Sequence, residues 1–261
     1  MTKTNYTLIT GASGGIGLEL ARLAARDRQN LVLVARSGDK LEKLAKEIRT
    51  TYPVEVKTLV SDLSKTKGVE ELLSSVGSWQ ITIDTLINNA GFGDFGDFAS
   101  ADLDKSLEMI RLNITALSYL THHFLREMVR SGRGKIMNVA STASFMPGPG
   151  MAVYYASKAY VLSFSEALAR EVKGTGVTVT ALCPGPTDTG FAETAGLGKS
   201  LLHRMLPTAS AAEVARVGYK AMLKGKTVVV PGFMNTLSSI TPRFLPRPVV
   251  SNLIYNIHKK H

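Results

Sequence analysis

Short, uninterrupted apolar runs alternate along this chain with longer stretches in which apolar residues recur every three or four positions. The short runs cover residues 4–10, 31–35 (LVLVA), 54–60, 83–88, 135–140 (KIMNVA), 177–183 and 227–230. An apolar run without alternation is what a strand needs when both faces of its sheet are covered. Between the runs the spacing predicts helices. One carries Ile16, Leu18, Leu20, Leu23 and Ala24, and another, over 39–49, places Leu41, Leu44, Ala45 and Ile48 on one face. Further helices are expected over 69–76, 103–128, from Tyr154 to about 172, and 210–224, with a glycine-interrupted helical region over 191–206. Strands alternating with helices predict an α/β fold: a doubly wound parallel sheet of about seven strands with helices on both faces. No repeat, low-complexity segment or linker divides the chain, so residues 1–261 read as one domain, with 231–261 as a basic extension of it.

The first strand runs directly into GASGGIG, and a helix follows. Glycines let the backbone approach a pyrophosphate, and a helix N-terminus offers N–H groups and a positive dipole end. Gly11, Ser13, Gly14, Gly15, Ile16 and Gly17 are therefore candidate phosphate-cradling residues of a Rossmann-type sheet. At the end of the second strand, a carboxylate would bind the ribose 2′-hydroxyl of NAD. Here Ala35 is followed by Arg36, whose guanidinium can take a 2′-phosphate bidentately. The alternative is an arginine that merely opens the next loop. The expected cofactor is NADP(H). Asp62 and Leu63 suit the adenine edge, although Asp62 could equally cap the next helix. The fourth strand ends in NNAG, leaving little bulk around Asn89, Ala90 and Gly91 at the edge where ligands bind in open α/β sheets.

The stretch 141–158, STASFMPGPGMAVYYASK, holds a hydroxyl at Ser141, a phenol at Tyr154 and an amine at Lys158. On a helix, residues four apart share a face. At roughly 4 Å and an effective dielectric of about 20, a positive charge stabilises a phenolate by about 4 kcal/mol. That would bring a tyrosine from about 10 to near 7, into range for alcohol–carbonyl proton transfer. Tyr155, three residues from the lysine, remains a competitor on spacing alone. Asn113, inside the long helix, is either a solvent-facing amide or there for a purpose, since asparagine is mildly unfavourable in a helix interior.

Composition narrows the picture. Of 261 residues, 44% are hydrophobic and 20% charged, enough to bury a large core without staples. The one cysteine, Cys183, excludes an intramolecular disulfide framework and fits a reducing compartment. No apolar run approaches a membrane span, and the N-terminus enters a strand pattern with no signal peptide, so a cytoplasmic location is expected. The five histidines show no metal-ligand spacing, and no metal is expected. The net charge of +10 is uneven: from Val214 to His261 there are eight Lys/Arg and no Asp or Glu. Such an end suits an anionic lipid surface, nucleic acid or an acidic carrier, or serves solubility alone.

TGASGGIG, NNAG, Ser141, YYASK and PGPTDT, in this order, resemble the short-chain dehydrogenase/reductases, from the first strand to about residue 230. Ser141 stands thirteen residues before Tyr154, which is the family spacing and selects Tyr154 over Tyr155. The resemblance implies that Ser141 holds the substrate oxygen, Tyr154 passes the proton, Lys158 binds the nicotinamide ribose and lowers the phenol's pKa, and Asn113 anchors a proton relay. It also implies that Asn89 and Ala90 line the adenosine ribose, that Asp62 and Leu63 line the adenine, and that Pro184, Gly185, Thr187 and Thr189 face the nicotinamide. The expected function is NADPH-dependent carbonyl reduction, in the manner of 3-oxoacyl and 17β-hydroxysteroid reductases. Alcohol oxidation and a non-catalytic NADP sensor are the alternatives. Phe92, Phe95, Phe145, Met151 and Phe191, with Ser141 and Tyr154, are the candidate substrate contacts, and their character suggests a hydrophobic substrate. The expected partners are this small molecule and further copies of the chain, as dimer or tetramer, with no nucleic acid. In the tail, Val249, Val250, Leu253, Ile254 and Ile257 form an apolar stripe that packs on the body or on a neighbour, or gives weak peripheral contact with a membrane.

Overall fold

In a computed structural model that describes residues 4–196 and 208–259, the apolar runs form one parallel sheet. Its long strands are β1 (Asn5–Thr10), β2 (Asn30–Ala35), β3 (Val56–Val60), β4 (Thr82–Asn88), β5 (Gly134–Val139) and β6 (Val177–Leu182). A separate parallel pair joins β7 (Thr187–Asp188) to β8 (Ala209–Ser210), and β9 (Val228–Val229) closes the main sheet. The main order is β3-β2-β1-β4-β5-β6-β9.

Successive strand residues point to opposite faces, so each strand feeds two cores. Leu8, Val32, Val34, Leu86 and Ile136 face one side, and Ile9, Leu31, Leu33, Ile87 and Met137 face the other. The first core is closed by α3 (Thr66–Ser78), α4 (Leu103–Ile110), α5 (Leu117–Ser131) and α6 (Ala152–Glu171). The second is closed by α1 (Gly15–Arg26) and α2 (Gly38–Thr51), with Leu20, Ala24, Leu41, Leu44 and Ile48 turned inward. Beyond β6 come the short α7 (Phe191–Thr194) and then α8 (Ala211–Leu223), which joins the second core through Val214, Tyr219 and Met222. Of the helical region expected over 191–206, residues 197–206 lie outside the described residues.

The helix expected over 103–128 is present with one irregularity. Asp102 caps α4 by accepting from the N–H groups of Asp104 and Lys105. Between α4 and α5, residues Arg111–Ala116 form a widened π-helical turn, a feature that concentrates at functional sites. Asn113 sits in this turn, and Gly132 ends α5 in the left-handed conformation.

The strand order reverses between β1 and β4, so a crevice opens at their C-terminal ends. The loops after β1, β2, β4, β5 and β6 gather there. The tail folds as α9 (Phe233–Ile240), a 3₁₀ turn (Thr241–Phe244) and α10 (Arg247–Lys259). Only part of its expected apolar stripe faces the body. Val250, Ile254 and His258, spaced by four, are buried, while Val249 and Leu253 stay about half exposed. One helix face can meet one surface, and the five-residue stripe is wider than the contact. No helix among the described residues is long and apolar enough to cross a membrane.

Candidate active site

A cavity of about 500 Å³ occupies the crevice. At one end lies the glycine turn. Gly11 and Gly15 have φ of +65° and +53°, conformations that L side chains rarely adopt. A Cβ at Gly17 would stand 2.3 Å from the Gly11 carbonyl oxygen, so this glycine lets α1 pack against the turn rather than facing the cavity. Gly14 precedes α1 without a side-chain cap, and no acid occupies the first turn. No side chain therefore caps the N–H groups there, and they are suited to an anion. Asn89 fastens this turn to β4. Its amide donates to the carbonyls of Thr10 (3.0 Å) and Gly11 (3.1 Å), while the Thr10 hydroxyl accepts from the N–H groups of Asn89 and Ala90. Asn88 points into the core, donating to Thr121 and Asn138.

Along one side the cavity is lined by Ser13, Ile16, Arg36 and Lys40. Lys40 was not anticipated, although its place four residues after Arg36, on the first turn of α2, is the signal that could have shown it. Arg36 is largely exposed, and its Nη1 lies 3.4 Å from Glu108 Oε1. Arg36, Lys40 and Lys158 line the cavity with no carboxylate among the lining residues, so the local field favours a polyanion. Asp62 and Leu63 stand apart from this cavity. Leu63 is buried in the core, and the Asp62 carboxylate accepts from the backbone N–H (3.0 Å) and hydroxyl (2.8 Å) of Ser64. Asp62 thus stabilises a local turn and does not cap α3, which begins without a side-chain cap.

At the other end, β5 delivers Ser141 and α6 delivers Tyr154 and Lys158. The Ser141 hydroxyl accepts from the Ala143 N–H at 3.1 Å. Tyr154 is buried, and burial pushes its phenol up to about 12, with the neighbouring Ser141 hydroxyl working against the rise. Lys158 is buried too, which brings its amine down to about 8. Its Nζ donates to the Val139 carbonyl at 2.8 Å and lies 5.9 Å from the Tyr154 ring centroid. The ammonium is held on a backbone oxygen, and desolvation, which disfavours phenolate, dominates.

Asn113 is buried, which removes the solvent-facing alternative. Its Oδ1 accepts from the Phe92 N–H (3.2 Å), and its Nδ2 donates to the Phe92 carbonyl (3.0 Å) and to Ser157 Oγ (3.0 Å). The amide thus ties the loop after β4 to α6, and a relay at this position would have to use main-chain groups of the widened turn. Pro184, Gly185, Thr187 and Thr189 line the far wall; Thr187 Oγ1 donates to the Gly185 carbonyl, and Thr189 Oγ1 accepts from the Phe191 N–H.

Phe92, Met151, Tyr155 and Phe191 make the apolar wall, with the Phe191 ring centroid 5.2 Å from that of Tyr154. Two of the expected substrate contacts lie elsewhere. Phe145 lines a second cavity behind the loop, and the Phe95 ring meets the edge of His258, 5.9 Å between centroids. Both sit in glycine- and proline-rich loops whose course sequence periodicity does not specify. Cys183 is fully buried, and burial raises its thiol to about 12, so it is inert packing.

A family model described as short chain dehydrogenase matches residues 5–199. Among curated proteins, a very-long-chain 3-oxoacyl-CoA reductase from Anas platyrhynchos is 30% identical over 98% of this chain and 80% of its own length. Among solved structures, a short-chain dehydrogenase from Sphingobium yanoikuyae in complex with NADPH superposes with a TM-score of 0.81 at 29% identity, covering 100% of this chain and 98% of that one. The bulky-bulky ketone specific alcohol dehydrogenase from Comamonas testosteroni, in an orthorhombic crystal structure, gives a TM-score of 0.78 at 27% identity, covering 100% and 97%.

Proposed function

Because the chain belongs to the short-chain dehydrogenase family, and so is an oxidoreductase of alcohol and carbonyl groups, we propose that it is an NADPH-dependent reductase of bulky, apolar ketones or 3-oxoacyl groups. The observation that carries this reading is one cavity with three cations and no carboxylate along it, a glycine cradle at one end and Ser141, Tyr154 and Lys158 at the other. The cavity fits a phosphorylated dinucleotide. The α1 N-terminus would hold the pyrophosphate, Arg36 and Lys40 the 2′-phosphate, Lys158 the nicotinamide ribose, and Thr187 and Thr189 the nicotinamide amide. When bound, that cofactor supplies the hydride.

This chain's own residues do the rest. Ser141 fixes the carbonyl oxygen beside the phenol, and Tyr154 delivers the proton to it. The phenol, raised by burial, is protonated at neutral pH and so can donate as it stands. Phe92, Met151, Tyr155 and Phe191 exclude water and select apolar substituents. The names of the relatives, a long-chain 3-oxoacyl reductase and an alcohol dehydrogenase for bulky ketones, agree with that wall. A cytoplasmic homo-oligomer is part of the same reading: Ala152 and Ala156 on α6, with Tyr119 and Tyr160, leave an outer face on which a second copy can pack.

The test is NADPH oxidation against 3-oxoacyl thioesters, steroid ketones and small aldehydes, with Tyr154→Phe as control. Removing a general acid lowers turnover by about 10²- to 10⁴-fold, while NADPH binding, followed by cofactor fluorescence, stays near wild type. Wild-type turnover in Tyr154→Phe would falsify the assignment of the proton donor.

A further inference from the structure

His258, in the last turn of α10, is 3% exposed, yet it lines neither the crevice nor the cavity behind the loop that follows Ser141, and it takes no part in the chemistry set out above. Its Nδ1 lies 2.5 Å from the Pro149 carbonyl oxygen. A carbonyl oxygen only accepts, so this nitrogen carries the proton and donates. The ring also stands edge-on to Phe95 and to Tyr155, 5.9 Å between centroids in each case. Its Nε2 is buried and has no hydrogen-bond partner among the described residues. Stranding a polar atom is costly, and an apolar side chain of similar size would pack here without that cost. What the histidine supplies, and such a side chain would not, is the Nδ1–H.

The loop that receives this donor, 146–151 (MPGPGM), is short of its own, because Pro147 and Pro149 have no N–H. Within it the Met151 N–H donates to the Gly148 carbonyl at 3.0 Å, and the Gly96 N–H, on the loop that follows β4, donates across to the Gly150 carbonyl at 2.8 Å. His258 grips both loops, one at the Pro149 carbonyl and the other at the Phe95 ring. Two residues beyond Pro149 is Met151, which lines the crevice, and two before Phe95 is Gly93. A Cβ at Gly93 would stand 2.7 Å from Phe191 Cζ, 3.1 Å from Met151 Cε and 3.2 Å from Tyr154 Cδ2, so this backbone closes directly on the apolar wall and the phenol ring. Tyr155 continues the row, edge-on to Tyr154 at 6.1 Å between centroids. We propose that His258 is a positioning residue for the substrate pocket: from outside it, the tail helix fixes the two loops that set the apolar wall beside Tyr154. This role deepens the functional reading above and rests on it for what the wall selects. It needs no open surface, because the ring is turned into the body of the protein.

The experiment compares the wild-type full chain with His258→Phe, which keeps a ring and loses the donor, and with His258→Asn, whose amide N–H can replace the Nδ1–H. Hydrogen exchange followed by mass spectrometry reads the two loops without any substrate. Exchange over 92–98 and 146–151 rises about 3- to 10-fold in His258→Phe, the worth of one neutral hydrogen bond, and stays near wild type over 146–151 in His258→Asn. In the NADPH assay, KM for bulky apolar ketones rises by a similar factor in His258→Phe, and His258→Asn recovers most of it. KM for small aldehydes and for NADPH stays near wild type in both. His258→Leu repeats the comparison should Phe overpack the site. Wild-type loop exchange in His258→Phe overturns the proposal. So does an Asn variant no closer to wild type than the Phe variant, as does a loss shared equally by all substrates with a lowered Tm, which is the mark of a purely structural role. If the wild type reduces none of these ketones, the functional reading fails by itself, and loop exchange alone decides the role of His258.

Discussion

Replacing Lys158 by methionine should abolish activity and yet stabilise the cofactor-free protein at neutral pH. The lysine is buried, and its amine is brought from 10.5 to about 8, so the folded state holds the charged form at a cost. A gap of this size corresponds to about 3 kcal/mol at 1.36 kcal/mol per unit. The sign follows from proton counting. Below pH 8 both folded and unfolded states carry the proton, and the penalty is fully present. Between about 8 and 10.5 the unfolded state binds more protons, so stability of the wild type rises with pH. Methionine keeps the stem and removes the charge. It also leaves the Val139 carbonyl without the donor that now stands at 2.8 Å, which returns about 1–2 kcal/mol of the gain. The net, roughly 1–2 kcal/mol, is a rise in Tm of about 2–8 °C at pH 7 for a chain of this size. The assay is differential scanning fluorimetry of both proteins from pH 6.5 to 10.5. The difference should be constant well below pH 8, shrink as the pH passes 8 and reverse sign towards 10.5, where the penalty is gone and the lost Val139 contact remains. A Lys158→Met protein that melts lower than wild type at pH 7, or a difference that ignores pH, refutes the view that this amine is a buried charge kept for function.

Four further outcomes are expected. Gly17→Ala places a Cβ 2.3 Å from the Gly11 oxygen and 2.4 Å from Asn89 Nδ2, an overpacking worth about 1–3 kcal/mol; a lowered Tm with weakened NADPH binding checks it. Gly14→Ala, extended at φ −173° with nothing within 4 Å of the new Cβ, should leave Tm unchanged and weaken only cofactor binding, because Gly14 lines the cavity. Arg36→Ala and Lys40→Ala should each raise the KM for NADPH about 10-fold, the loss of one charge-assisted contact, with NADH nearly unaffected; equal losses for both cofactors would mean that the phosphate is read elsewhere. Phe191→Ala removes a ring 5.2 Å from that of Tyr154 and should raise KM for bulky apolar ketones more than for small aldehydes in the same NADPH assay.

The alternation of strands and helices could be read from the chain because burial on both sides of a sheet writes itself into local periodicity. The order in which Gly11–Gly17, Asn88–Gly91, Ser141, Tyr154 and Lys158 occur was equally legible, since strand ends and one helical turn are local geometry. The widened turn at Asn113 was not. Asn113 within it is tied to Phe92 and Ser157, 21 and 44 residues away in sequence. Lys40 needed α2 to be placed beside the crevice before its charge counted.

By itself, then, the sequence determined the sheet, the cradle and the identity of the phenol and amine that share a helix face. Tertiary structure decided what those groups experience. Spacing alone set Tyr154 beside a cation and predicted a phenol near neutrality. The folded chain buries both groups, turns Lys158 to a backbone carbonyl and raises the phenol instead. It also sends Phe145 to a second cavity, Phe95 against His258, and only half of the tail's apolar stripe against the body. The reason is the same in each case. Periodicity is a property of neighbours along the chain, whereas dielectric and through-space partners depend on where glycine- and proline-rich loops bring distant segments together.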